Sequence, residues 1–226
     1  MSKFDTLQNK IGYKFKNIDV LEQALTHRSY LNENPGFTLG HNERLEFYGD
    51  AILEDIVTSY LFHHYTDKNE GELTNLRAAL VRGAHLAEIA ERLELDRYLN
   101  ISNGERNDPG AKSYINANAI EALIAALRLD GGYEIAQNFI DNFIIPDIEK
   151  IIEEKSFIDA KSVFQEKIQE QKGITPRYIV ITEQGPDHNK IFEVAVYVDT
   201  IEYGKGKGSS KQKAEQDAAK NALNNI

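Results

Sequence analysis

The chain contains no cysteine. Disulfides and thiolate metal sites are therefore excluded, and a reducing cytoplasm is the compartment this points to. The six histidines never take the His-Glu-x-x-His spacing, and the adjacent His63 and His64 cannot face one ligand from a regular helix. They read as surface residues, and zinc chemistry is not indicated. No apolar run approaches the ~20 residues that a membrane-spanning helix needs. Met1-Ser2-Lys3-Phe4 is not expected to open a secretory leader. The chain is also short of positive charge: 26 Lys and Arg against 36 Asp and Glu leave a net −10. A phosphate-rich partner normally asks for the opposite balance. The shortage is uneven, however. Residues 1–157 carry 16 basic against 26 acidic side chains, while residues 158–226 carry 10 of each. Lys205, Lys207, Lys211, Lys213 and Lys220 share one short stretch, and such a patch can bind phosphate where the average would not.

What is present is a chain of 226 residues whose character changes once. Residues 1–155 read as helix after helix: apolar periodicity runs from Ile18 to Thr26, Asn42 to Phe62 and Leu73 to Leu93. It continues over the Ala- and Leu-rich Ala117 to Leu129, which Asp130-Gly131-Gly132 should stop, and over Ile135 to Ile152, which Pro146 should kink or split. Ala160 to Gln171 predicts a polar helix buried through Val163, Phe164, the Lys167 stem and Ile168. The β-branched runs Arg177 to Thr182 and Lys190 to Val198 predict strands joined by a turn at Gly185-Pro186-Asp187, with a third strand from Ile201 to Lys205. A last helix from Ser210 to Leu223 starts at a capping-box-like Ser209-Ser210-Lys211-Gln212. Its Ala214, Ala218, Ala219 and Ala222 give a smooth face for a sheet. The expectation is a multidomain chain: an all-α domain over 1–155, a charged linker at Glu153–Ile158, and an α-β-β-β-α module over 158–226.

His41-Asn42-Glu43-Arg44-Leu45-Glu46-Phe47-Tyr48-Gly49-Asp50-Ala51-Ile52-Leu53 is the segment with most chemical content. Glu43, Glu46 and Asp50 stand at i, i+3 and i+7, one stripe of a helix. Leu45, Tyr48 and Ile52 repeat those offsets on a neighbouring stripe that would anchor the helix in a core. Like charges a turn apart repel unless a cation sits against them, and Mg2+ with its oxygen-only ligands suits such a row. A solvated acidic face is the competing account. Gly49, costly within a helix unless something must come close, favours a site. Asn118 and Glu121 form a second pair three residues apart, short enough to occur on many surface helices. Two helices each offering two oxygen ligands would suit metal-assisted phosphodiester hydrolysis.

His41 to Leu53 closely resembles the signature of the bacterial ribonuclease III family. Ala24-Leu25-Thr26-His27-Arg28-Ser29-Tyr30, Glu70-Gly71-Glu72-Leu73-Thr74-Asn75-Leu76-Arg77-Ala78 and Ile120-Glu121-Ala122-Leu123-Ile124 are similar to its other elements, in the family's order over essentially the whole chain. The resemblance implies a dimerising all-α endonuclease domain followed by a double-stranded-RNA-binding domain. It implies Mg2+-dependent cleavage of duplex RNA, with Mn2+ as a substitute, in the processing of RNA such as ribosomal precursors. The products would carry 5′-phosphates, 3′-hydroxyls and short 3′ overhangs. Glu46, Asp50 and Glu121 match metal-binding acids, Asp50 and Glu121 being catalytic. Glu43 falls at the edge of the site or of the dimer, as does Glu70 near the active valley. Arg44 is taken as a partner of neighbouring acids and Tyr48 as a core substitution for the family's Leu. Asn118 stands where the family has Asp. Its carbonyl still offers an oxygen ligand, but one charge is gone and no base is left. The alternative is therefore a duplex-RNA-binding protein with weak or no cleavage.

For the second domain, the resemblance implies recognition of A-form shape over about 16 bp. Gln165 and Glu166 would meet the minor groove, the Pro186-Asp187-His188 loop the next one, and Lys211 and Lys213 the phosphates between. Gln212 replaces a further cation of the family, and Lys205 and Lys207 are expected to compensate. The glycines of 204–208 do not make a nucleotide-binding loop, lacking the Gly-Lys-Ser/Thr order.

Overall fold

Three short helices lead the chain: α1 (Asp5–Ile11), α2 (Ile18–Ala24) and α3 (Arg28–Glu33). They belong to the first of two compact units, Met1–Phe157 and Ile158–Ile226. The structure is a computed structural model that describes residues 3–153, 159–186 and 190–226, with Pro109 described by its backbone alone. The long helix α4 (Glu43–His64) buries Leu45, Gly49, Ile52, Leu53, Ile56, Val57 and Leu61. That stripe runs through Gly49 rather than through Tyr48, which is 39% exposed and not the core residue its spacing suggested. The reason is a close crossing of two helices at Gly49.

The periodic run expected as one helix from Leu73 to Leu93 is two. α5 (Glu70–Val81) starts at a capping box, Asn69 accepting from the Glu72 N–H while the Glu72 side chain accepts from the Asn69 N–H. Arg82 then takes an extended ψ of 142°, and α6 (Gly83–Arg92) starts afresh. Gly83 sits where an added Cβ would lie 3.7 Å from the Ala117 side chain. The break thus turns α6 onto the other long helix of the unit. After α7 (Asn103–Arg106) that helix, α8 (Pro109–Gly131), ends at Gly132 with φ 95°, where the double glycine predicts. Pro146 divides the last helical stretch of the unit into α9 (Tyr133–Phe143), a 3-10 turn at Ile145–Asp147, and α10 (Ile148–Glu153). His85, itself buried, and Arg92 both hold the Asp147 carboxylate at 2.7 Å, tying that turn to α6.

The second unit begins with α11 (Ala160–Lys172), its first turn capped by Asp159 accepting from the Lys161 and Ser162 N–H groups. Ala160, Phe164 and Ile168 are buried, whereas Val163 is half-buried and Lys167 exposed, so the buried stripe is narrower than expected. Three antiparallel strands come next in sequential order, β1 (Arg177–Gln184), β2 (Ile191–Val198) and β3 (Ile201–Gly208), then α12 (Lys211–Leu223). The Ser210 hydroxyl accepts from the Lys213 N–H at 3.2 Å. The reciprocal half of a capping box is missing, because Lys213 has no acceptor to return. Ala214, Ala218, Ala219 and Ala222 are all fully buried.

The third strand runs on to Gly208 because its glycines are needed there. A Cβ on Gly204, Gly206 or Gly208 would stand 2.7, 2.1 or 2.5 Å from backbone atoms of α12. The alternate residues of a strand point the other way, so Lys205 and Lys207 lie on the far face of the sheet. There Lys205 pairs with Glu202 at 3.4 Å and Lys207 with Glu193 at 3.9 Å. Their expected compensation for Gln212 at the helix terminus is not what this arrangement provides. The linker expected over Glu153–Ile158 lies, apart from Glu153, outside the described residues.

Candidate active site

The site is built on contact between the backbones of α4 and α8. At Gly49 an added Cβ would lie 1.7 Å from the backbone oxygen of Glu121, so no side chain fits. This approach sets Glu46 and Asp50, one turn apart on α4, against Asn118 and Glu121, one turn apart on α8. All four line one open cavity of about 740 Å³, with Glu43 at its edge. The sequence-predicted acids of the two helices are therefore neighbours in space. Among the described residues no three His, Asp or Glu side chains converge closely enough to hold an ion as they stand; they surround the cavity rather than close on a point.

The electrostatics follow from that enclosure. Burial, then the charges of Asp50 and Glu46, push the Glu121 carboxyl up to about 7. Burial and the charges of Glu43 and Asp50 also raise Glu46, against an opposing effect of the nearby Asn118 side chain. Asn118 is 8% exposed and belongs to the inner wall. An aspartate there would instead add a further repelling charge. Glu43 is answered by Arg28 at 3.5 Å, a partner from outside its helix rather than the adjacent Arg44, while its own N–H donates to His41 Nδ1 at 3.4 Å.

Two aromatic residues of the rim were not singled out from the sequence. Phe47 is 82% exposed and Tyr114 64% exposed, and both line the cavity. The available signal was Phe47's place off the buried stripe of α4. Glu70 is not brought to the carboxylates: it lines a separate groove with Thr58, Phe62, Leu73 and Arg77. A second lobe of about 430 Å³ adjoins the first through Glu43, Glu46, Tyr114 and Asn118, and reaches His27 and Arg28.

In the second unit Gln165 and Glu166 are exposed on α11 and line a groove with Ser162 and Gln169. Lys211 and Lys213 are exposed in the first turn of α12. Lys211 is partly answered, its amine lying 3.1 Å from Glu183 and 5.7 Å from the Phe192 ring centre. Pro186 is exposed after β1, and His188 lies outside the described residues.

A helical unit with a carboxylate-walled cleft, joined to an α-β-β-β-α module, defines a class of two-part nucleic-acid-acting protein. The Ribonuclease-III-like family pattern matches residues 17–148, and the double-stranded RNA binding motif matches residues 160–226. The chain is 42% identical to Ribonuclease 3 of Streptococcus gordonii over 99% of its own length and 97% of that protein. It is 38% identical to Ribonuclease 3 of Listeria monocytogenes over 100% of its length and 99% of that protein. Among solved structures, the nuclease domain of ribonuclease III from Campylobacter jejuni superposes with a TM-score of 0.58 at 37% identity, covering 65% of this chain and 97% of that one. A second structure of that domain, described for flexibility in a region involved in dimer formation, gives 0.58 at 38% identity, covering 63% and 96%. The chain belongs to the ribonuclease III family.

Proposed function

We propose that the protein is a double-strand-specific endoribonuclease that hydrolyses phosphodiester bonds with Mg2+, or Mn2+ in its place, leaving 5′-phosphate and 3′-hydroxyl ends. One observation carries the reading: three carboxylates from two distant segments face one cavity, and Glu121 is pushed up to about 7 by burial together with the other two. Repulsion of that kind is relieved by a hard divalent cation, and the donors are all oxygens, with no thiolate available. Glu46, Asp50 and Glu121 would hold the ion, with the Asn118 carbonyl as a neutral fourth donor. When bound, such an ion polarises the scissile phosphate and acidifies the attacking water. Asn118 takes no proton itself, since an amide is no base. Asp50 and Glu121 are the groups that face the reacting phosphate. Full-length relatives named Ribonuclease 3 favour cleavage over binding without cleavage.

The partner is double-stranded RNA. Gln165 and Glu166 would meet the minor groove, with Pro186 reaching the next, while Lys211 and Lys213 hold phosphates. A homodimer through the first unit is the assembly we infer, because Phe47, Phe62 and Tyr114 are each more than half exposed. Glu43 would lie near its edge. No helix among the described residues is long and apolar enough to cross a membrane, and the absence of cysteine suits the cytoplasm.

The deciding experiment titrates Mg2+ against cleavage of long duplex RNA by the full chain and by Asn118→Asp. Both should cut, and the added charge should lower the half-saturating Mg2+ about tenfold. No cutting by either protein at any concentration would refute the proposal. A second expectation concerns salt. Replacing Lys211 and Lys213 by Ala should weaken duplex binding and reduce the slope of log affinity against log salt by roughly 1–2. Lys213 should account for more of it, since Lys211 is shared with Glu183. An unchanged slope in a KCl series would remove both lysines from the phosphate contacts.

A further inference from the structure

The His27-Arg28 pair has no part in the chemistry assigned to the carboxylates, yet the structure carries it into the cleft. The segment between α2 and α3 is pinned: the His27 N–H donates to the Asn100 carbonyl at 2.9 Å and the Asn42 N–H to the Thr26 carbonyl at 2.9 Å. His27 then caps α3, its Nδ1 accepting from the Ser29 N–H at 3.3 Å and from the Ser29 hydroxyl at 2.9 Å. The Ser29 oxygen itself accepts from the Ser102 N–H at 3.1 Å, and because Nδ1 already accepts from the Ser29 N–H, the hydroxyl proton is the one given to the ring. With Nδ1 occupied as an acceptor, the imidazole proton resides on Nε2, and His27 lines the second lobe as a hydrogen-bond donor. Arg28 lines the same lobe with its side chain 71% exposed, and its contact with Glu43 is an exposed 3.5 Å pair of the kind that exchanges readily.

Charge decides what this lobe is for. The first lobe is walled by Glu43, Glu46, Asp50 and Glu121 and has no basic side chain among its described lining residues. His27 and Arg28 are the only basic residues among the described ones lining either lobe. A nucleic-acid strand carries a charge at every nucleotide, so a phosphate seated at the carboxylates has charged neighbours that need placing. Glu46 and Asn118 form the wall shared by the two lobes. A strand passing them on the second side meets the Nε2 proton of His27 and the guanidinium of Arg28. Three acids share that lobe: Glu43, which Arg28 answers, Glu46 on the shared wall, and Glu105, whose charge acts on His27.

We propose that His27 and Arg28 grip the phosphate that flanks the scissile one on the cut strand, fixing the register of the bond presented to the carboxylates. They are positioning residues, and the inference rests on the nuclease reading of the adjoining lobe. The test uses the full chain and a duplex RNA in which a single methylphosphonate, neutral and isosteric, is walked through the positions on either side of the cut. His27→Asn keeps a side-chain acceptor to cap α3 while shortening the donor, and Arg28→Gln removes the charge alone. On the natural duplex each substitution should lower single-turnover cleavage about tenfold, the worth of one hydrogen bond to a charged group. With the methylphosphonate at one flanking position, wild type and both variants should cut at the same rate. Duplex affinity measured on the same RNAs without a divalent cation should show the same convergence, so the inference remains readable even if no chain cuts. Wild-type cleavage with undiminished cleavage and binding by both variants would overturn it and leave the nuclease reading intact. So would an equal loss at every methylphosphonate position, which marks a role in folding. Absence of wild-type cleavage would instead sink the nuclease reading.

Discussion

Glu121→Gln is expected to yield a folded protein that binds duplex RNA and cuts it about a thousandfold more slowly, roughly 4 kcal/mol of lost transition-state stabilisation. The same substitution should make the metal-free protein more stable at neutral pH. In the folded state Glu121 holds its proton up to about 7, against 4.5 for the ordinary carboxyl. Between those values the folded chain binds more protons than the unfolded one, so its stability falls as pH rises through that window and stays low above it. Glutamine abolishes the effect. Solvent in the open cavity screens much of the repulsion, leaving a gain on the order of 1 kcal/mol, or roughly 2–4 °C in melting temperature. Melting curves without divalent cations at pH 5 and pH 8 check it: the variant should match wild type at the first and exceed it at the second. Equal melting at both would mean that neither burial nor the neighbouring charges act on Glu121. Adding Mg2+ should reverse the order at pH 8, since only wild type gains the full set of ligands.

Gly49→Ala is expected to be the most damaging single substitution in the first unit. Its methyl group would be driven to 1.7 Å from a backbone oxygen of α8, and backbone cannot swing aside as a side chain can. The two longest helices must part along their crossing, at a cost of about 3 kcal/mol or more. Amide exchange should accelerate across α4 and α8 while β2, in a separate hydrophobic cluster, keeps its protection. Undiminished protection in both helices would show that the crossing can open at little cost. Cleavage should fall even where enough folded protein survives, because the carboxylates of the two helices are spaced by this same contact.

These two residues also show how much was open to reading from residues alone. Gly49 stood out because a glycine inside an apolar-periodic helix has no local justification, and the justification proved to be a neighbour seventy-odd positions away. The acids were legible for a similar reason: helical offsets place them on one stripe whatever the helix packs against. The break at Arg82 was not legible. Apolar periodicity carries through it and no proline marks it, so only the need to lay α6 on α8 decides where the chain turns. Tyr48 misled because offsets i+3 and i+4 are nearly equivalent on a stripe, and the crossing selected Gly49. The extent of β3 was hidden by glycine's poor strand propensity. The cation-bearing lobe was hidden because it draws on residues from α3, α4, α7 and α8 at once, with His27's tautomer set by Ser29 and Ser102.

The glycine side of β3 restricts how this strand can vary. Three alternate positions tolerate nothing larger than hydrogen while α12 rests on them, so accepted changes must fall on the outward residues between. Lys205 and Lys207 occupy those outward positions, which makes the sheet's outer surface the part of the module where related chains can diverge in charge without disturbing the packing of α12.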